Sequence, residues 1–276
     1  MNNPMTLILI RGGGDLASGV ALRLHRAGFQ VLISELEQPL AVRRAVSFCE
    51  AVYEGQWQVE EVTALRVESE AHTIAAFEQG QIPVIVDPDL ANLPTFNPST
   101  GSGQRLQLSA VIDARLLKRP PEPLTISTPL LIGLGPGFIA GENCQALIET
   151  QRGHTLGRVF WRGASNPDSG QPDGEPGRVL RAPADGQFIG YAQIGEHIEP
   201  GQVIAEVAGQ PISAPFAGVL RGLIRPGLVV SRGLKVGDLD ARDKREYCFL
   251  VSDKALAIGG AALEAILAYQ TLNDGR

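Results

Sequence analysis

The feature that most constrains this fold is a glycine-rich turn between an apolar strand and an amphipathic helix. Residues 7–10 form a continuous apolar run, which is typical of a strand buried on both faces of a parallel sheet. The segment 11–15, Arg-Gly-Gly-Gly-Asp, follows at once, and apolar residues then recur at helical spacing from position 16 to position 27. A second apolar run at 31–33 leads to Glu35. The sequence therefore predicts a strand–loop–helix–strand unit.

The glycine spacing in that loop has a chemical interpretation. Glycines at 12 and 14 let the backbone turn tightly and approach a pyrophosphate, which would lie at the positive N-terminus of the helix. An acid at the end of the second strand, here Glu35, can accept hydrogen bonds from a ribose. The predicted cofactor-binding residues are Gly12, Gly13, Gly14, Asp15, Leu16 and Glu35. Alternatively, the glycines serve only close packing, and Glu35 is a solvated charge at a strand end.

Helix and strand patterns alternate through the rest of the N-terminal part, so we expect a Rossmann-like nucleotide-binding domain over 1–119. The segment 119–123, Arg-Pro-Pro-Glu-Pro, reads as a stiff extended connector and marks the predicted boundary. The remainder, 120–276, is rich in short strand patterns and turn residues, which predicts a β-rich domain. It ends in a predicted strand at 247–251 and a C-terminal helix that carries Gly259 and Gly260 on its apolar stripe.

An internal repeat lies within the β-rich part. The pattern Ala-Pro-x-x-Gly occurs at 182–186 and again at 214–218, and three further pairs of glycines match at the same offset. Residues 181–240 thereby resemble biotinyl and lipoyl domains, which pair two such units in a barrel. Those carriers hold an acceptor lysine in the hairpin between the repeats, whereas this hairpin reads Val-Ala-Gly at 207–209. We therefore expect a barrel that acts as a scaffold or docking surface, without a swinging arm.

The densest group of reactive side chains lies at 149–154. Glu149, Arg152 and His154 together could bind an anion or move a proton, although the same pattern also fits a turn with a local charge pair. A small buried hydrophobe is the favoured interpretation of each cysteine, but Cys144 follows Gly-Glu-Asn in a polar loop and is the one of the three that is most expected to be an exposed thiol. These four residues are the candidate catalytic residues. The sequence leaves open whether the chain is an enzyme.

Composition argues against several classes of protein. The formal net charge of −6, without a cluster of Lys and Arg, argues against nucleic-acid binding. No apolar run approaches the roughly 20 residues of a membrane helix, and nothing near Met1 resembles a signal peptide, so we expect no membrane partner and a cytoplasmic location. The 3 cysteines are isolated, which fits a reducing compartment and gives no metal-site spacing.

Several segments together resemble one family, the YqeB-type accessory proteins of selenium-dependent molybdenum hydroxylase systems. The segments are RGGGDLASG at 11–19, SFCEAVY at 47–53, LIGLGPG at 131–137, IETQRGHTLGR at 148–158, LRAPADG at 180–186 and SDKA at 252–255 running into IGG at 258–260. The resemblance covers nearly the whole chain. It transfers no catalytic residue to a position here.

The resemblance implies a role in maturation, in which the chain helps to insert, modify or check the molybdopterin cofactor of a molybdenum hydroxylase apo-enzyme, its implied partner. A nucleotide-bearing pterin such as molybdopterin dinucleotide is then an expected ligand, beside NAD(P). Two other classes remain open, an NAD(P)-dependent oxidoreductase and a non-catalytic docking module for a partner enzyme. The sequence also leaves homo-oligomer formation open.

Overall fold

A mixed sheet of nine strands forms the larger part of the fold. The computed structural model describes residues 6–92, 107–170 and 174–273. The strands of this sheet are β1 (Thr6–Arg11), β2 (Gln30–Glu35), β3 (Gln56–Val59), β4 (Val62–Val67), β5 (Ile82–Val86), β6 (Gln107–Asp113), β7 (Leu131–Leu134), β9 (Ala146–Ile148) and β10 (Val159–Phe160). They lie in the order β10-β9-β7-β6-β1-β2-β5-β4-β3. The strands from β9 to β4 run parallel, and β10 and β3 close the two edges with antiparallel pairs.

Four α-helices accompany the sheet within the part of the chain that the structure describes. They are α1 (Asp15–Arg26), α2 (Ala51–Glu54), α3 (Glu70–Glu78) and α4 (Asp253–Asn273). The central strands carry apolar residues on both of their faces because both faces are covered, and Ile8 and Ile10 are fully buried in the core that also contains residues of α1 and α4. The opposite face packs Leu7, Leu9 and Leu32 into a second cluster. Short 3₁₀ segments at Arg44–Val46 and Phe48–Glu50 lead into α2.

The helix α4 occupies the position of the predicted C-terminal helix. By length and composition alone, the segment Asp253–Leu272 could cross a membrane. In this fold α4 lies against α1, and its residues Ala255, Ile258 and Ala262 are fully buried in the main core. This is the behaviour of a core helix.

Three smaller sheets follow. A two-stranded pair joins β8 (Ile139–Ala140) to β11 (Gly163–Ala164). The strands of the two antiparallel four-stranded sheets are β12 (Val179–Arg181), β13 (Gly186–Gly190), β14 (His197–Ile198), β15 (Val203–Val207), β16 (Gln210–Ser213), β17 (Gly218–Leu223), β18 (Val229–Val230) and β19 (Lys235–Asp240). One sheet has the order β12-β19-β17-β14 and the other β16-β15-β13-β18. They share one apolar core around Phe188, Ile204 and Leu220.

The fold class predicted from the sequence is wrong. In place of a Rossmann-like domain complete by residue 119, the structure has a mixed sheet whose strands β7, β9 and β10 come after that residue, and whose core includes α4. In place of a biotinyl/lipoyl-like barrel at 181–240, it has two four-stranded antiparallel sheets whose strands are not paired with each other. The glycine patterns that led to both predictions specify tight turns, and tight turns occur in many sheet arrangements.

The predicted boundary between residues 119 and 120 therefore does not separate one sheet from the next. The smaller sheets also pack closely on the segment before α2. A Cβ atom at Gly222 would lie 2.8 Å from the carbonyl oxygen of Val42, and Nε of Arg44 donates to the carbonyl of Leu223 at 2.7 Å. The domain boundary stays a prediction. The predicted strand at 247–251 is not observed, because the segment Arg245–Cys248 forms a 3₁₀ turn that buries Cys248.

Candidate functional site

A cavity of about 620 Å³ lies where the N-terminus of α1 meets the sheet that contains β19. The cationic residues that line it are Arg43, Lys118, Arg152, Arg178, Arg181, Arg221, Lys235 and Lys254. The acidic residues that line it are Asp15, Glu149, Asp168 and Asp238. Cations thus outnumber carboxylates two to one in the described lining, although the whole chain carries a net charge of −6. Such a cavity attracts anions, because its walls concentrate the field of these charges.

Some residues of the glycine loop pack against neighbouring segments, and others line the cavity. Gly12 has φ of +89° and donates its N–H to the carbonyl of Ser34 at 2.8 Å. The carbonyl of Gly13 accepts from the N–H of Cys49 at 3.0 Å and from Oγ of Ser18 at 3.1 Å. These two glycines hold the loop against its neighbours. Gly14, Asp15 and Leu16 line the cavity. The loop therefore contributes its last three predicted residues to the site.

The carboxylate of Glu35 binds the loop itself. Oε2 accepts the N–H of Gly13 at 2.6 Å, and Oε1 accepts the N–H of Leu36 at 2.7 Å. Burial raises the pKa of Glu35, although both backbone hydrogen bonds oppose the shift. The side chain is 8% exposed and lies outside the described lining of the cavity. Its predicted contact with a ribose stays a prediction, and in this structure both carboxylate oxygens order the loop.

The first turn of α1 faces the cavity without a capping side chain among the described residues. Free N–H groups at such a turn, together with the helix dipole, favour an anion. Asp15 begins this turn and would oppose an anion, but the guanidinium of Arg43 lies 3.7 Å from its carboxylate and offsets the charge. Arg43 is 6% exposed, donates to the carbonyls of Tyr247 and Leu250, and keeps an Nε atom with no hydrogen-bond partner in the described part of the chain.

A buried carboxylate organises the opposite wall. Asp238 of β19 is 1% exposed and accepts hydrogen bonds from Arg178, Arg221 and Lys235. Burial alone would raise the pKa of Asp238, but these positive charges outweigh it and hold the pKa below its ordinary value. The group is therefore ionised at neutral pH. It fixes three cations at one place in the cavity wall.

Glu149 holds a loop beside the cavity. Its side chain is 1% exposed, and its two oxygens accept the N–H groups of Gln151 at 2.7 Å and Asn166 at 2.8 Å. The described residues of the loop, from Asn166 to Gly170, line the cavity. Both carboxylate oxygens are thus used by backbone amides, so Glu149 is a structural anchor in this conformation.

Of the other two predicted reactive residues, one lines the cavity and one does not. Arg152 lines the cavity and forms a two-point pair with Asp253, with both N–O distances 2.8 Å. His154 is exposed and lies outside the described lining. Their roles as catalytic residues stay predictions.

The prediction of an exposed thiol at Cys144 is wrong. Cys144 is 4% exposed and packs with Phe138 and Leu147, and burial raises its pKa to about 11. The polar residues before it form the outside of the turn, since Oδ1 of Asn143 accepts the N–H of Ile139, while the thiol points inward. All three cysteines are buried, and none is part of the described lining. No described thiol is placed to carry sulfur or selenium to the cavity.

Sequence reasoning did not identify the cation cluster. Arg178 comes just before β12 and Arg221 lies on β17, whereas Lys235 and Asp238 lie three residues apart on β19, and no motif spacing connects the three segments. The one signal present is the pair of acids at 238 and 240 in a short strand, because buried strands rarely contain acids without cationic partners. Within the described parts of the chain, no three His, Cys, Asp or Glu side chains are grouped so that they could hold a metal ion.

Comparison with known proteins identifies the family. The chain is 43% identical over 265 residues to a protein of Escherichia coli (strain K12), the uncharacterized protein YqeB, and the match covers 95% of this chain. This chain belongs to the YqeB-type family. The match covers 47% of the relative, so the YqeB-type chain described here spans about half the length of the curated protein it matches. No family profile matches the chain.

Similarities to solved structures are weak. The YqeB-type chain matches the ectoine utilization protein EutE (DoeB) from Ruegeria pomeroyi at 12% identity and a TM-score of 0.24, over 85% of this chain and 87% of that one. It matches an aspartoacylase family protein from Mesorhizobium loti at 14% identity and a TM-score of 0.26, over 86% and 85%. Scores of this size carry no argument about the activity of this chain.

Proposed function

We propose that this chain binds a phosphate-bearing cofactor of the nucleotide or nucleotide-bearing pterin class, and that it serves as an accessory protein in the maturation of a molybdenum hydroxylase. The observation that carries the binding proposal is the excess of cations around a cavity that ends on the open first turn of α1. The maturation role is supported by the chain-wide sequence resemblance described above.

The cavity suits a ligand with an anionic group and an apolar ring. Its volume of about 620 Å³ lies within the usual range of small-molecule sites. Leu40, Leu116 and Leu234 supply apolar lining beside the charged residues. A phosphate has its negative charge spread over several oxygens and is bound well by arginine forks and helix N-termini together. A base or pterin ring could pack on the leucines.

The residues present fit the phosphate part of the implied cofactor. Arg43 supports this fit, because it has a buried Nε atom without a described partner and lies beside the first turn of α1. The arrangement does not support transfer of sulfur or selenium through this chain, because the described lining contains no thiol. We therefore propose binding and delivery of the cofactor, without covalent chemistry on a cysteine.

Calorimetry tests the binding proposal. Inorganic pyrophosphate, CDP and NAD are titrated into the protein at low and at physiological salt, and we expect pyrophosphate and CDP to bind more weakly as salt rises. The charge reversal Lys235→Glu should weaken pyrophosphate binding at least about tenfold, since it places a carboxylate in the cavity wall. The matched control is Lys244→Glu, which makes the same charge change at an exposed residue outside the described lining and should alter affinity less than about twofold.

The binding proposal is abandoned if none of the three compounds binds at millimolar concentration. The maturation proposal needs a separate experiment in a host that makes a molybdenum hydroxylase. The gene is deleted, and the activity, molybdenum content and selenium content of the hydroxylase are measured. We expect reduced cofactor loading, restored by the wild-type gene and not by the Lys235→Glu variant. Full activity and full loading in the deletion strain would contradict the role in maturation.

A further inference from the structure

The cation cluster around Asp238 has an unusual geometry. The guanidinium of Arg178 reaches both carboxylate oxygens of Asp238, at 2.7 and 2.9 Å. Arg221 and Lys235 reach the second oxygen at 3.1 and 3.2 Å. Arg221 also lies 3.3 Å from Asp240, so its planar group spans two carboxylates of the same strand. Three cations therefore meet at a single buried carboxylate.

The backbone of this sheet is irregular on both sides of Asp238. Asp238 lies opposite Val179 on one neighbouring strand and Gly222 on the other. The register shifts between Leu220 and Gly222, which is the position of Arg221, and the other neighbouring strand shifts just before Arg181. Such irregularities redirect side chains and are frequent beside functional sites. Here they accompany two arginines that line the cavity.

Asp238 has more cationic partners than the other carboxylates in the described lining. Asp168 contacts one described cation, Lys118, whereas Asp238 contacts Arg178, Arg221 and Lys235. Arg221 is shared with Asp240, which Arg242 also contacts, so four described cations meet two carboxylates. The cavity wall therefore carries more cationic groups than carboxylates at this point. Because the wall is partly desolvated, these charges attract an anion more strongly than they would at a free surface.

We propose that Asp238 is a positioning residue, which holds Arg178, Arg221 and Lys235 in one array that binds a phosphate group of the ligand. This inference rests on the proposed function of the cavity and assigns its phosphate subsite. Without a central carboxylate the three cations would repel one another and separate, and a phosphate would meet them at different places. The carboxylate does not touch the ligand, and it acts through the three cations.

A substitution of Asp238 should change anion affinity in the direction opposite to that expected from charge alone. The substitution Asp238→Asn removes a negative charge from the cavity wall, so a purely Coulombic model predicts tighter anion binding. Positioning predicts the opposite, because an asparagine side chain cannot hold three cations. The matched control is Asp168→Asn, which removes the same charge from the same cavity at an exposed ion pair with one cation, Lys118, among the described residues. The two variants separate charge from position.

The experiment is a calorimetric titration of inorganic pyrophosphate into the full chain at two salt concentrations. We expect Asp238→Asn to bind at least about tenfold more weakly than wild type, and Asp168→Asn to bind up to about threefold more tightly. The salt dependence of binding should become shallower in Asp238→Asn, although its wall is more positive, because fewer cations contact the anion. Loss of packing alone does not change the salt dependence in this direction. Circular dichroism and thermal unfolding confirm that each variant is folded.

The outcomes are distinguishable. Failure of wild type to bind pyrophosphate, CDP or NAD removes the proposed function, and the subsite with it. Binding by wild type with equal or tighter binding by Asp238→Asn overturns the positioning role alone. If Asp238→Asn does not fold, Arg221→Lys decides, since it keeps the charge but loses the planar group that spans two carboxylates. We expect at least about fivefold weaker binding for that variant, and unchanged affinity overturns the inference.

Discussion

The contact between α1 and α4 depends on the absence of a side chain at Gly19. A Cβ atom added there would lie 2.6 Å from Cβ of Ala255 and 2.8 Å from its carbonyl carbon and oxygen. Gly259 lies on the same contact, because its own added Cβ would come 2.6 Å from the carbonyl oxygen of Gly19. The two helices thus touch backbone to backbone. The substitution Gly19→Ala should force them apart.

The size of this effect follows from two opposing terms. Alanine favours the helix over glycine by about 1 kcal/mol. Overpacking costs about 1–3 kcal/mol, and the upper end applies here because the obstructing atoms belong to the backbone of α4 and cannot rotate away. The net expectation is a loss of about 2 kcal/mol in the free energy of unfolding, or roughly 4–8 °C in Tm for a chain of this size.

Urea unfolding, followed by circular dichroism and by tryptophan fluorescence, measures the change. The matched control is Gly260→Ala on α4, where no described atom lies within 4 Å of the added Cβ. This control should gain about 0.5–1 kcal/mol, because only the helix preference acts. Equal stability of wild type and Gly19→Ala would refute the close contact of the two helices, as would equal gains in both variants.

Three further predictions concern buried groups. Glu50 is fully buried beside Arg225, and the substitution Glu50→Ala should lower the free energy of unfolding by about 3–5 kcal/mol, measured by urea unfolding. The control Glu54→Ala removes the exposed partner of the same arginine and should lower it by less than about 1 kcal/mol. Cys144, whose pKa burial raises to about 11, should react with a thiol reagent in native protein far more slowly than in unfolded protein. The hydrogen bond from Arg242 lowers the pKa of Asp240 to about 2, so Asp240→Asn should cost at most about 2 kcal/mol above about pH 4, and this difference should vanish as the pH falls through about 2, measured by unfolding at each pH.

Local structure was predictable wherever one segment contained the whole pattern. The run at 7–10, the glycine loop and the apolar spacing after it gave β1 and α1 close to their observed bounds. The C-terminal helix followed from its apolar stripe, and of the two glycines on that stripe only Gly259 packs closely on another helix. The predicted strand at 247–251 failed because its apolar residues do not pair with a neighbouring strand, and Phe249 and Leu250 remain substantially exposed.

The order of the strands in the sheets could not be predicted from such local patterns. Strand order is set by contacts between distant segments, such as β6 pairing with both β1 and β7, and no local spacing records those contacts. The fold class failed for this reason, although many of the strands were predicted. The cavity could not be predicted for the same reason, because its walls come from distant parts of the chain. Asp15 lies on α1 and Asp238 lies on β19.

The site also shows that residues of a binding motif can stabilise the fold. The predicted contacts of Gly12, Gly13 and Glu35 with a cofactor stay predictions, and in this structure these residues bind one another and Ser34 and so fix the position at which α1 begins. The loop therefore supplies one wall, the open first turn of the helix. The charge that would select the ligand comes from Arg221, Lys235 and their neighbours, which no motif identified. If phosphate affinity depends on those cations, removing them should weaken phosphate binding while the glycine loop keeps its conformation. The class of ligand would then be selected by the sheet that contains β19, which lies outside the glycine motif.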